Sequence, residues 1–453
     1  MTESTTEPGA TSPATRLSEA DLEFLVAQTT SLVEFAQRSP HPDGGFAWLD
    51  DEGHPLLDHP VELWISCRMI HVLALAEILG DASSRPLVTA GLEALRTRLH
   101  DEVYDGWYAA VITGADGASQ PSDDTKAAYA HGFVVLAAAS AVAAGHDDAR
   151  PLLDAALAVF DRYLWRDADG LAVDVCDRTF EHVDPYRGVN ANMHTVEALL
   201  AAHDVTGDEI HLQRAMSIIS HVVHGFARGQ GYRLPEHYDE QWRPLLDYNR
   251  DQPRDRFRPY GVTIGHLMEW ARLALHARTA LRRTGAEAQD VEAWLLEDAR
   301  ALFVRGVEDG WQEPTDDHAE GFVYTTDFEG RPVVEDRLHW VVTEAIATAW
   351  TLALVMDETG SPQDAQAYRQ WFDRWVEHAR TYFVDEARGS WHHELDAQGR
   401  PSSQVWEGKP DVYHAYQAML LPRLGEVSSF VEGALHLRPE EGPTDFSTRP
   451  GTV

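Results

Sequence analysis

The stretch EILGDASS, residues 77–84, ends an apolar helical run on a glycine and follows it at once with an acidic, small-residue start. The same punctuation returns as VAAGHDDA (142–149), DVTGDEIH (204–211), RRTGAEAQ (282–289) and DETGSPQD (357–364). Glycine placed this way is a helix C-cap, because it takes the left-handed conformation without a Cβ penalty, and Asp, Glu or Ser then opens the next helix. Gly80, Gly145, Gly207, Gly285 and Gly360 lie 65, 62, 78 and 75 residues apart. The flanking runs carry apolar residues at i, i+3, i+4 and i+7, so each unit is two helices and a loop. A last helix near 411–424 can pair with an opening helix near 19–38 to make a sixth hairpin and close a ring. Twelve helices in six hairpins predict an all-α fold, an (α/α)6 barrel spanning 18–436, with disordered ends at 1–17 and 437–453.

The connections between hairpins differ in character. GGFAWLDDEGHPLLDH (44–59), GFVYTTDFEGRPVVEDRLHW (321–340) and GSWHHELDAQGRPSSQVWEG (389–408) read as β-hairpin-containing loops around a glycine turn. The longest, from about 228 to 262, is aromatic and rich in paired charges, which suits an ordered loop laid over a site.

Composition narrows the function. The chain has 37 basic and 74 acidic residues, a formal net charge of -37. That balance repels phosphate backbones and anionic lipid, so nucleic acid and membrane partners are not expected. The N-terminus has neither the basic start nor the apolar run of a signal peptide, and no apolar stretch reads as a membrane span, so a cytoplasmic setting is expected. Cys67 and Cys176 sit in apolar segments and read as reduced, buried thiols. No glycine-rich phosphate loop is present, and no cofactor is expected.

The helix after each long loop carries a polar or aromatic stripe on an otherwise apolar surface. Trp64, Arg68 and His71 lie at i, i+4 and i+7; Tyr129 and His131 open the next such helix; Asn190, His194 and Glu197 follow. His266, Glu269 and Trp270 share a face, as do Trp340 and Glu344, and His414 and Gln417. Taking Arg68, Tyr129, His194, His266, Glu344 and His414 as markers, the spacings are 61, 65, 72, 78 and 70, in step with the hairpins. The stripes should converge on one mouth of the barrel. A network of buried ion pairs would give single stripes of this kind, and buried charges such as Arg68 and Glu344 require partners, water or ligand. Histidines such as His54, His182 and His276 read as ordinary surface residues.

Histidine can take and return a proton near neutrality, which suits the C2 proton of an opened aldose. Two histidines, His266 and His414, are compatible with aldose–ketose isomerisation or with 2-epimerisation. Arginine and tryptophan would bind hydroxyls and stack on the sugar. His392, His393 and Glu394 form a potential metal cluster, but neighbours in a strand point to opposite faces, so no metal is assigned. Asp247, Asp251 and Glu269 are the carboxylates on which a glycoside hydrolase of the same architecture would draw.

The segments LWISCRMIHV (63–72), GVNANMHTVEALLAAHDVTGD (188–208), EHYDEQWRPLLDYNRDQPRDRFRPYGVTIGHLMEWARL (236–273), RLHWVVTEAIATAW (337–350) and KPDVYHAYQAML (409–420) closely resemble the N-acylglucosamine 2-epimerase superfamily. Within it they are most similar to the aldose–ketose isomerase branch of mannose and sulfoquinovose isomerases. The resemblance runs from about 20 to 425 and implies a metal-free (α/α)6 barrel acting on a monosaccharide. It implies that His414 moves the C2 proton, that His266 assists as acid or base, and that Glu269 pairs with His266. Trp64, Arg68, Tyr129, Asn190, His194, Arg256 and Trp340 are implied to line the sugar pocket, with His194 also assisting ring opening. Sulfosugar isomerases resembling this chain carry glutamines where His393 and Pro410 stand, which leaves His393 as a wall of a neutral-sugar pocket. Mannose to fructose, with lyxose to xylulose beside it, is the expected reaction.

Overall fold

The computed structural model describes residues 17–114, 117–285 and 288–439; the expected disordered ends fall largely outside these. Twelve helices form the hairpins: α1 (Glu19–Ala36), α2 (Leu63–Ile78), α3 (Arg85–Arg96), α4 (Ala128–Ala143), α5 (Ala149–Val159), α6 (Val189–Thr206), α7 (Glu209–Ile219), α8 (Ile264–Arg283), α9 (Gln289–Gly310), α10 (His339–Glu358), α11 (Pro362–Tyr382) and α12 (Tyr413–Leu424). The even-numbered helices pack in succession, and α12 returns to α2, which closes an inner ring. Outside it, α3, α5, α7, α9 and α11 each pack on the inner helix before them, and α1 packs on α12. The expected (α/α)6 barrel is present.

The two rings have different surfaces for one reason. An inner helix touches neighbours on every side and must be apolar nearly all round, whereas an outer helix buries one stripe. Accordingly α4, AYAHGFVVLAAASAVA, is buried along almost its whole length, while α3 buries only Val88, Gly91, Leu92, Ala94 and Leu95. Helix α10 is long and apolar enough to cross a membrane, yet it is an inner helix with 94% of its apolar window buried. The five cap glycines all have positive φ, between 70° and 105°. At Gly207, which directly follows α6, any side chain would be strained.

Two features of the mouth lie beyond the glycine pattern. A two-residue strand enters each of α2, α4, α6, α8 and α10 and pairs antiparallel with a strand from the loop that leads to the next inner helix, as Arg337–Leu338 does with Glu394–Leu395. These clasps tie consecutive loops together. Four loops also turn on one motif: Asp50, Asp239, Asp327 and Asp396 each accept the backbone N–H groups two and four residues on, at 2.8–3.0 Å. The residue three positions after the aspartate has positive φ, and is glycine in three cases and Trp242 in the fourth.

A thirteenth helix, α13 (Phe430–Leu437), was not expected. It packs against α2, α4, α6 and α12, burying Phe430, Val431, Gly433 and Ala434, and covers the end of the barrel opposite the loops. Cys67 and Cys176 are free and buried, and burial pushes both thiols up, Cys176 to about 11.

Candidate active site

The inner helices begin at the mouth, so the first two turns of each face a common pocket. Trp64 and Arg68 reach it from α2, Tyr129 from α4, Asn190 and His194 from α6, His266 and Glu269 from α8, Trp340 from α10 and His414 from α12. Arg256 and Phe257 enter from the long loop, and His393, Trp406 and Asp411 from the last loop. The eleven residues that the resemblance assigned to catalysis or to the sugar pocket, His393 among them, therefore meet in one pocket. The long loop does lie over it, anchored by Tyr186 and Pro259 on either side of His237 and by Asn249 on the Arg258 carbonyl.

His414 is fixed by a carboxylate. Its Nδ1 stands 3.0 Å from Glu344 Oε1, and Glu344 Oε2 accepts from Arg272 Nε at 2.8 Å. A carboxylate only accepts, so Nδ1 carries the hydrogen and Nε2 is the nitrogen left for the pocket. Burial, followed by the Arg68 charge, holds His414 well below the ordinary histidine range, and it is neutral at pH 7. A neutral imidazole with a free lone pair can act as a base.

His266 departs from expectation. Its partner is Glu236, from the long loop, with Oε1 3.0 Å from Nδ1 along an approach too bent for a straight hydrogen bond. Glu269 instead lies 3.5 Å from Arg272 Nη2 and 3.8 Å from His194 Nδ1. Burial and the neighbouring Glu344 charge hold the Glu269 carboxyl well above its usual range, which favours its acid form, and its contacts are with Arg272 and His194 and not with His266. The rings of His266 and His414 both pack against Trp340, with centroids 5.1 and 5.8 Å from it.

Arg68 is held by Asp411 (3.1 Å) and the Tyr129 hydroxyl (3.2 Å), inside a cage of Trp64, Phe133 and Tyr413 rings 4.6–4.9 Å away. Its charge is thus compensated within the protein. Arg256 stacks over Trp48 and Trp406 at the rim. His393 donates from Nε2 to the Asp411 carbonyl and stacks on His339 with centroids 4.0 Å apart.

Other polar residues of the stripes serve the frame. His131 turns away from the pocket and accepts the Trp107 N–H, and Trp270 is buried in the barrel wall. His71, Gln417 and Glu197 form a hydrogen-bonded layer below the pocket, with Tyr413 also donating to Glu197. His276 is buried, contrary to its reading as a surface histidine, and lines a small chamber above α13. His392, His393 and Glu394 do not converge. His392 faces Asp385, while Glu394 accepts from Ser402 and from the backbone of Gln404, Val405 and Trp406. Among the described residues, His194–Glu197–Glu269 and Glu269–Glu344–His414 are close enough to hold an ion, but Arg272 already supplies positive charge between them. Asp247 is 80% exposed and Asp251 is exposed, which removes two of the carboxylates a hydrolase would use.

Glu236, Asp411, His339, Tyr324 and Arg272 were not singled out from the sequence. Arg272 did carry a signal, as a charged residue six positions after His266 in an apolar helix. Glu236 and Asp411 come from loops, where no periodicity marks them.

The burial of so many histidines sets the acid stability. Burial lowers His71, His131, His194 and His339 to about 4, His276 and His378 to about 3, and His393 and His414 well below 6.5. Below about pH 6.5 the unfolded chain protonates these groups and the folded one does not, so stability falls with pH by up to ~1.4 kcal/mol per unit for each. Glu62, pushed up to about 7, Asp174, to about 6, and Glu269 oppose this, since they hold protons in the fold. Asp204 and Asp373 are raised as well, but the lowered histidines outnumber the raised carboxyls. Calorimetry should show Tm dropping steeply between pH 6.5 and 4; a flat profile from pH 7 to 5 would contradict it.

An inner ring of helix starts around two carboxylate-contacted histidines defines an acid–base barrel enzyme. Residues 44–418 match the family described as N-acylglucosamine 2-epimerase (GlcNAc 2-epimerase), and the chain belongs to that family. It is 46% identical over 402 residues to a D-mannose isomerase of Thermobifida fusca, covering 88% of this chain and 94% of that protein. It is 40% identical over 407 residues to a D-mannose isomerase of Pseudomonas cannabina pv. alisalensis, covering 90% and 94%. A crystal structure of D-mannose isomerase superposes with a TM-score of 0.78 at 26% identity, covering 90% of this chain and 99% of that one.

Proposed function

We propose that the protein is a cofactor-independent aldose–ketose isomerase that interconverts D-mannose and D-fructose, and D-lyxose and D-xylulose, in the cytoplasm. The carrying observation is the His414–Glu344 pair, which leaves Nε2 of His414 as an unprotonated base facing the pocket. The D-mannose isomerases similar to this chain over most of their length support the choice of substrate. So does Arg68, whose compensation by Asp411 leaves little charge for a sulfonate or phosphate.

His194 assists opening of the sugar ring. Nε2 of His414 then takes the C2 proton while O1 receives one, which gives the enediol. O2 next releases its proton and C1 takes the one that His414 carries, so the ketose forms with no atom gained or lost. His266 exchanges protons with the two oxygens, and the protonated Glu269 donates a hydrogen bond to the developing enediolate. Trp64 and Trp340 present ring faces to the sugar's apolar side.

The test is incubation with mannose in deuterated water, with products resolved in time. Fructose as the sole early product, deuterated at C1 in part, is expected. Early glucose would replace the isomerase reading with 2-epimerisation.

A further inference from the structure

The pocket floor holds three buried carboxyl groups, Glu197, Glu269 and Glu344, beside one guanidinium, that of Arg272. Arg272 has no exposed surface and packs beside Phe430 of α13, with its CZ 5.5 Å from the ring centroid. Nothing in the proton chemistry above uses it directly. Its Nε–H nevertheless meets the carboxylate that orients His414.

We propose that Arg272 is the positioning residue of this site: it anchors Glu344 so that the free carboxylate oxygen receives Nδ1–H of His414, which keeps Nε2 free of a proton on the pocket side. Without the anchor, Glu344 rotates or takes a proton, and His414 loses the acceptor that selects its tautomer. The planar fork also allows one side chain to meet Glu344 through Nε and Glu269 through Nη2, which an ammonium cannot do in the same geometry. The removal of a positive charge raises the proton affinity of both Glu344 and His414. The other groups that bear on His414 are Arg68 from α2, Asp411 and His393 from the preceding loop, His339 from α10, His194 from α6 and Glu269 from α8, of which Glu269 alone also loses a contact in the variants below.

The choice of sugar in the following test rests on the isomerase reading, whereas the tautomer does not. Full-length Arg272→Met and Arg272→Lys are compared with the parent enzyme in kcat, KM, the pH profile of kcat/KM and the 15N NMR signals of His414 in the absence of sugar. For Arg272→Met we expect kcat to fall about 50-fold, KM to stay within about threefold, and the acid limb to move up by about one pH unit. Arg272→Lys should return the limb toward its original place with kcat still about tenfold low. The parent should show the Nδ1–H tautomer at pH 7, and Arg272→Met should not.

An unmoved acid limb in Arg272→Met, or survival of the pure Nδ1–H tautomer, overturns the proposal. If Arg272→Met does not fold, Arg272→Lys decides, and wild-type kcat there overturns it. If the parent enzyme leaves mannose unchanged, the isomerase reading fails, while the NMR comparison still decides the role of Arg272.

Discussion

Replacement of His414 by alanine should lower mannose turnover about 10,000-fold while sugar binding survives, because among the described residues His414 is the pocket histidine hydrogen-bonded through Nδ1 to a carboxylate. His393 is committed through Nε2 to the Asp411 carbonyl, and His194 Nδ1 faces Glu197 and Glu269. His266 comes from α8, with its ring beside Trp340 and its Nδ1 toward Glu236. The binding groups Arg68, Tyr129 and Asn190 come from other helices, and Arg68 and Tyr129 are held by Asp411 and by each other, so the cavity left by alanine does not release them. Turnover and calorimetric sugar binding measured together check this. Activity within tenfold of the parent would remove His414 from the role of C2 base, and loss of binding along with activity would make it a binding residue instead.

Gly265→Ala is the second large effect, about 1,000-fold in turnover, at a residue with no functional group at all. A Cβ at Gly265 would stand 2.7 Å from Cη2 and 2.8 Å from Cε3 of Trp340, and closer still to Cζ3. Interiors at crystal density have no slack to absorb this, so the indole must retreat by ~1 Å. Trp340 packs against the rings of both histidines, and a displacement of that size passed on to reacting groups costs a large factor in rate. The fold should survive with a loss of about 1–3 kcal/mol, the usual cost of overpacking. Turnover and thermal unfolding of the same variant separate the two effects. A parental kcat would show that the Trp340 position is not critical.

Residues marked by local physics were legible in the sequence. The five cap glycines obey a rule that needs only the helix they end, and their even spacing was enough to close a ring of six hairpins. The stripes stood out because a polar residue in an inner helix has apolar neighbours all round. What escaped depends on contacts between distant segments. Glu236 reaches His266 from the long loop across 30 positions of sequence, and Asp411 reaches Arg68 across 343. Helical spacing itself misled at Glu269: three residues from His266, it shares a face with it, but His266 turns toward the loop while Glu269 turns down to Arg272. His131 lies two positions from Tyr129, which places it on another side of α4. The turn motif was hidden because Trp242 stands in one copy where the others have glycine.

Helix α13 gives the barrel a floor. Among the described residues α13 covers the end opposite the loops, so a sugar that enters past Trp406 and Phe257 leaves the same way, and aldose and ketose take turns at one doorway. Each isomer then obstructs the other at the entrance as well as in the pocket, and accumulating product slows its own formation before equilibrium is reached. Such a vessel has no preferred direction of traffic: it relaxes whichever sugar is in excess, and net flow is governed by supply and removal outside the protein.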